Sequence, residues 1–187
     1  MSDRNQAILY AGGHKGAEAE FGCCAERWGV GQVTLSYDGH VMEYSKDVRQ
    51  LSADDMLKGD VSMEIVSKRL GRTYTSIDQV RKVCQLLFHM VSNSYAVFAI
   101  GWIQGDDTVQ GGTGWGVELA RFFNRPVSVF DQARHAWFTW KDGRWTPDSP
   151  VIPERPFAAT GTRKLTDEGR AAIGALFERS FGAAPKA

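Results

Sequence analysis

The 187-residue sequence predicts an α/β protein with a mainly parallel sheet, carrying an aromatic hairpin and a helix at its C-terminal end. Three observations lead there. Short apolar runs alternate with amphipathic segments. Glycine turns stand between the runs and the segments. The first run, turn, helix and second run fit within about 30 residues, the size of a βαβ unit.

Ala7 to Ala11 (AILYA) is uninterrupted apolar sequence, as expected of a strand buried on both faces. Gly12 and Gly13 close it. Gly16 to Trp28 follows as a helix with Ala17, Phe21, Cys24 and Trp28 on one side, ended by Gly29 and Gly31. Val33 to Tyr37 is the second strand, with Asp38-Gly39-His40 at its C-terminal end. The polar stretch 41 to 59 holds a short helix near Ser52 to Lys58. Asp60 to Leu70 reads as a helix with Val61, Ile65, Val66 and Leu70 on one face. Ser76 to Ser92 is the clearest helix. Ser76 and Gln79 form a capping box, and Ile77, Val80, Val83, Cys84, Leu87, Phe88 and Val91 share a face. A polar stripe of Arg81, Gln85 and His89 runs beside that face.

Ala96 to Gly101 (AVFAIG) is a further buried strand. Gly114 to Phe123 is a helix, and Pro126 to Phe130 a strand closed by Asp131. Residues 137 to 145 read as a hairpin over Asp142-Gly143. Prolines 147, 150, 153 and 156 mark an extended segment, and Thr166 to Ser180 forms the last helix. The chain is expected to be one domain, with a core over 7 to 131 and residues 132 to 187 as an extension.

Composition excludes several classes. Apolar residues make up 43%, too many for a disordered chain. No apolar run approaches the ~18 residues of a spanning helix. Twenty-two basic residues balance twenty-two acidic ones, which leaves no broad field for nucleic acid or an anionic membrane. The start of the sequence lacks the pattern of a secretion signal, and the three cysteines, Cys23, Cys24 and Cys84, have no metal-ligand spacing. A cytoplasmic protein with reduced thiols and no metal is expected.

Twenty glycines are many for this length, and two clusters of them precede helices. The first is Gly12-Gly13-His14-Lys15-Gly16. The second is Gly111-Gly112-Thr113-Gly114-Trp115-Gly116. Glycine turns bring backbone N–H groups close to a phosphate, and a helix N-terminus adds partial positive charge. Both clusters should lie at the C-terminal edge of the sheet, where open α/β folds bind ligands. Lys15 adds a charge there and Thr113 a hydroxyl. The first turn could equally be strand-to-helix geometry alone, while four glycines in six residues, costly to order, make the second the stronger anion site. Asp38 and Asp131, at strand ends, could accept ribose hydroxyls or cap turns. Glu118 lies one turn into its helix, where it could serve chemistry or complement the helix dipole. Asp106 and Asp107 could hold a cation or simply be solvated. His14 and His40 sit at strand C-terminal ends, while Arg81 and His89 could reach a site or stay at the core edge. Trp137, Trp140 and Trp145 could stack a base or cover the sheet. Thr160-Gly161-Thr162-Arg163 could add a third anion contact or only link to the last helix. Arg155, Arg163, Lys164 and Arg170 could form a local basic patch.

The run SYAVFAIG…GGTGWGVE resembles the SLOG superfamily, which includes the LONELY GUY phosphoribohydrolases, molybdenum carrier-like proteins and the Rossmann-like domain of DNA-processing protein A. Gly111, Gly112, Gly114 and Glu118 match the motif PGGxGTxxE in order and spacing. Trp115 stands where the motif has threonine, and Val109-Gln110 where proline is usual. Gly12, Gly13, Gly16, Ala17 and Glu18 are similar to the GG-x-x-G-(A/V)-(D/E) turn of the carrier-like and DNA-processing branches. The resemblance covers residues 7 to about 131. It implies a Rossmann-like three-layer α/β/α domain that binds a nucleotide or phosphosugar, often as a homodimer, with no required cofactor. In the phosphoribohydrolase branch the motif glutamate and an arginine on the preceding helix assist cleavage of the N-glycosidic bond of a nucleoside 5′-monophosphate. Glu118 matches that glutamate. Leu86 falls at the arginine position, and Arg81 is the nearby arginine that could stand in. A non-catalytic nucleotide or cofactor sensor or carrier is the alternative, and nucleic-acid processing a third reading.

Overall fold

The computed structural model describes residues 3–74 and 77–185. In chain order the elements are β1 (Ile8–Ala11), α1 (Ala17–Trp28), β2 (Gly31–Ser36), β3 (Val48–Gln50), α2 (Ala53–Leu57), α3 (Asp60–Leu70) and α4 (Asp78–Ser92). Then come β4 (Ala96–Gly101), α5 (Thr113–Phe122), β5 (Val127–Asp131), β6 (Ala136–Lys141), β7 (Arg144–Pro147), β8 (Phe157–Gly161) and α6 (Asp167–Phe181).

All eight strands form one sheet in the order β3-β2-β1-β8-β4-β5-β6-β7. Strands β1 to β5 and β8 pair in parallel, while β5–β6 and β6–β7 are antiparallel. Helices cover both faces, giving the three-layer α/β/α arrangement. Side-chain alternation along each strand splits the core. Phe98 and Ile100 of β4 join α1 and α6 through Phe21, Trp28, Ile173 and Phe177. Val97 and Ala99, one residue out of phase, join α2 to α5 through Met56, Met63, Leu86, Met90, Val117 and Leu119.

Most predicted elements stand within a residue or two of their expected bounds. Three differences matter. Residues 157 to 161, where the sequence predicts no strand and only a glycine-containing turn from Thr160, form β8, a central strand with four of its five residues buried. The polar stretch before α2 contains β3, whose three residues are all exposed. The core face of α3 is Met63, Val66 and Ser67, while Val61 is 74% exposed. Polar residues take that interior position because Ser67 Oγ donates to the Arg72 carbonyl and accepts from the Tyr74 amide. On α4, Ile77 and Val80 are likewise exposed, and Gln85 and His89 of the polar stripe are buried. The stripe faces α2 and α3: Arg81 and Gln85 bind Asp60, and His89 Nε2 meets the Asp55 carbonyl at 2.7 Å. Ser76 of the expected capping box lies outside the described residues. At the hairpin, Asp142 and Gly143 both have positive φ, as a two-residue turn between twisted strands requires. Thr166 caps α6 by accepting from the Gly169 amide.

Candidate functional site

The strand order reverses around β8. Strands β1, β2 and β3 extend to one side of it, and β4 and β5 to the other. At such a switch point loops diverge and leave a crevice beyond the strand ends. Here the loops after β1, after β8 and before α5 enclose a cleft of about 610 Å³. One wall is His14, Glu18 and residues Thr160 to Lys164. The other is Gln110 to Thr113 with Trp102 and Trp115, and α4 contributes Val80, Val83, Cys84 and Leu87.

Two glycines allow these loops to meet. Gly16 has φ +92°, and a β-carbon there would lie 2.5 Å from the Thr162 carbonyl oxygen. At Gly161 a β-carbon would meet Ala17 Cβ at 2.6 Å and the Ile100 carbonyl oxygen at 2.7 Å. The contact is fixed by the Ala17 amide donating to Thr162 O at 3.1 Å and the Thr162 amide to Ile100 O at 2.9 Å. The Thr160–Arg163 turn thus presses on the start of α1 and presents Arg163 and Lys164 along the cleft.

The first glycine turn already holds an anion of its own. Glu18 is 4% exposed. Its Oε2 accepts from the Gly12 and His14 amides at 3.1 and 3.3 Å and contacts His14 Nδ1 at 2.8 Å. Its Oε1 accepts from the Thr160 hydroxyl at 3.0 Å. Burial alone would raise the Glu18 pKa. The His14 charge and the bonds from His14 and Thr160 overcome this and lower it. Burial likewise opposes the charge on His14, and the Glu18 carboxylate more than compensates, so the His14 pKa rises. His14 Nε2 in turn meets His40 Nε2 at 2.8 Å.

The second turn is open. The Gly112 and Thr113 amides, at the start of α5, have no acceptor among the described residues. Gly111, Gly112, Thr113 and Trp115 line the cleft. Gly114 and Gly116 serve packing instead, against the Val109 carbonyl and against Leu87 and Thr160. Gly12, Gly13 and Gly16 lie behind the wall, and Lys15 is exposed and outside the lining.

The other expected site residues are dispersed. Glu118 is buried but outside the cleft lining; its Oε1 pairs with Arg69 Nε at 2.5 Å and its Oε2 with Arg121 Nη1 at 2.9 Å. Arg81 is ion-paired with Asp60 in a separate shallow depression that Tyr74 also lines. Asp131 is 1% exposed and accepts from the Ala133 amide and Arg134, a turn cap. Asp38 is exposed. Asp106 accepts from Thr108 in its own loop. Trp137 packs on Phe98 and Phe130, and Arg121 sits 3.7 Å over the Trp140 ring. These aromatic side chains cover the sheet. Sequence reasoning did not place Trp102 or the apolar side chains of α4 in the cleft. The bend that brings Trp102 there depends on the Ile103–Val109 bridge, which no motif announces. No described helix is long and apolar enough to cross a membrane.

No family model matches the chain, and no curated protein matches it. Among solved structures, it is similar to the "Putative molybdenum carrier protein" of Syntrophus aciditrophicus, with a TM-score of 0.55 at 14% sequence identity. The likeness covers 95% of this chain and 96% of that one. At that identity it shows the fold, an α/β sandwich on a mostly parallel sheet.

Proposed function

We propose that the switch-point cleft binds a nucleotide or a related phosphosugar. The observation that supports this most is the meeting of two polar turns on one apolar-walled cavity. The open amides of Gly112 and Thr113 and the cations Arg163 and Lys164 suit a phosphate. Trp102, Trp115, Val83 and Leu87 offer a surface for a base, and 610 Å³ is within the range of small-molecule pockets. In this reading the phosphate takes the open amides of the second turn and none of the first, because Glu18 occupies the amides of Gly12 and His14.

Binding without cleavage is the favoured form, as a sensor or carrier. The solved neighbour is named as a molybdenum carrier, which accords with the carrier part of this form. The second form is hydrolysis of the N-glycosidic bond, favoured by the Gly111-Gly112-x-Gly114-x-x-x-Glu118 spacing. It requires Glu118 to leave Arg69 and Arg121 and reach the cleft. A homodimer belongs to the same proposal, with the exposed Val61 and Ile65 of α3 as apolar surface for it.

A panel of nucleoside 5′-monophosphates tests both forms. Saturable binding by calorimetry with no free base by chromatography is the expected outcome. Base release that disappears in Glu118→Ala would replace the carrier form with the hydrolase. Absence of binding by every member of the panel would sink the nucleotide reading.

A further inference from the structure

The His14–His40 contact has no role in the reading above. The two Nε2 atoms are 2.8 Å apart and the ring centroids 4.4 Å apart. Two imidazole nitrogens at that distance need one proton between them, one donating and the other accepting. His14 Nδ1 is committed to Glu18. His40 stacks on Tyr37 at 4.5 Å and 14°, and its Nδ1 is buried without a hydrogen-bond partner. The pair therefore accommodates one positive charge but not two. A second proton would make both Nε2 atoms donors and break the contact.

The surroundings favour such a second proton only when an anion is present. Glu18 faces His14 from α1, and Arg163 faces both rings from the turn after β8. Asp78, at the start of α4, and Arg163 face Tyr37 behind His40. Burial and the charge on His14 hold the His40 pKa down to about 4. His14 and Arg163 line the cleft, while His40 lies outside its lining, behind His14, and follows the exposed Asp38-Gly39 turn at the end of β2.

We propose that His14 and His40 are a closed anion subsite for a phosphate dianion. A dianion seated beside Arg163 draws one proton from solvent onto the pair. The Nε2–Nε2 hydrogen bond breaks, and the two Nε2–H groups become donors to phosphate oxygens. No covalent bond changes. The subsite rests on the cleft being the ligand site and names which group of the ligand it takes.

Two probes test it on the intact protein. The first is adenosine 5′-monophosphate, titrated calorimetrically at mildly acidic pH in buffers of different ionisation heat. Wild type should take up protons on binding, and His40→Gln should lose that excess uptake, the nucleotide's own ionisation being common to both. Equal uptake in the two proteins overturns the subsite and leaves nucleotide binding standing. The second probe is inorganic sulfate, whose charge does not change in this range. Saturating sulfate should raise the pH midpoint of the His40 ring signals in wild-type NMR spectra. An unmoved midpoint overturns the subsite whether or not nucleotides bind, and no variant is needed.

Discussion

The Glu18 carboxylate accepts a hydrogen bond from the Thr160 hydroxyl at 3.0 Å, across 142 positions of sequence. One buried side chain thereby ties the first helix to the last strand while its other oxygen holds the β1 turn. Glu18→Ala leaves the Gly12 and His14 amides and a charged imidazole buried without acceptors. The expected loss is ~3–5 kcal/mol in urea unfolding, the range for breaking a buried pair. A loss within experimental error would show the pair to be dispensable.

Stability should peak in mildly acidic solution. The raised His14 pKa contributes stability that is complete below its ordinary 6.5 and lost as pH rises through the folded value. The lowered Glu18 pKa contributes stability that is complete above its ordinary 4.5 and lost as pH falls through the folded value. His40, held at about 4, adds to the acid side: the unfolded chain gains its proton first, so stability drops from about pH 6.5 toward 4. Urea midpoints across pH 4 to 8, taken without ligand, should show a maximum near pH 6.5 and a shallower acid limb in His40→Gln.

Arg163→Ala should weaken adenosine 5′-monophosphate about ten- to hundredfold, the worth of one charged hydrogen bond. Lys15→Ala should leave affinity unchanged, because that side chain lies outside the lining. Equal losses at the two positions would place the phosphate on the exposed Lys15 side of the first turn, outside the cleft.

Gly16→Ala should cost more than Gly112→Ala. At Gly16 the added carbon meets Thr162 O at 2.5 Å and φ is +92°; at Gly112 no atom lies within 4 Å. A difference of ~2 kcal/mol or more in stability is expected, and the Gly16 change should also weaken the nucleotide by shifting Arg163. Thermal melts and calorimetry on the two variants read both effects.

Glu118→Gln should destabilise the fold by ~1–3 kcal/mol through Arg69 and Arg121 and leave nucleotide affinity within error. A large affinity loss at unchanged stability would place Glu118 at the ligand after all.

Much of the architecture was legible because it is local. The apolar runs of β1 and β4 and the amphipathic α4 announce themselves by period. What escaped depends on distant partners. β8 is short, lies among prolines and is small in its side chains (Phe157-Ala158-Ala159-Thr160-Gly161), so nothing in its neighbourhood marks it as a sheet centre. Glu18 looked like a motif position, yet its role comes from Thr160 and His14, which only the closed sheet brings to it. The spacing of the second glycine cluster predicts one phosphate cradle, yet Gly114 and Gly116 serve helix packing, since spacing does not separate a glycine open to a cleft from one that meets a carbonyl. The cleft's apolar wall was hidden because exposure on α4 inverted the expected face at Val80.

Among the described residues the two halves of the sheet, β3-β2-β1 and β4-β5-β6-β7, share no direct strand pairing, and β8 joins them within the sheet. During synthesis some 150 residues emerge before the piece that unites them. Until then β1 and β4 present open backbone edges flanked by apolar side chains, the arrangement most prone to wrong association. Long-range parallel pairing of this kind also forms slowly. The cleft at the strand ends is complete only when that last strand is in place, because residues 160 to 164 form one of its walls.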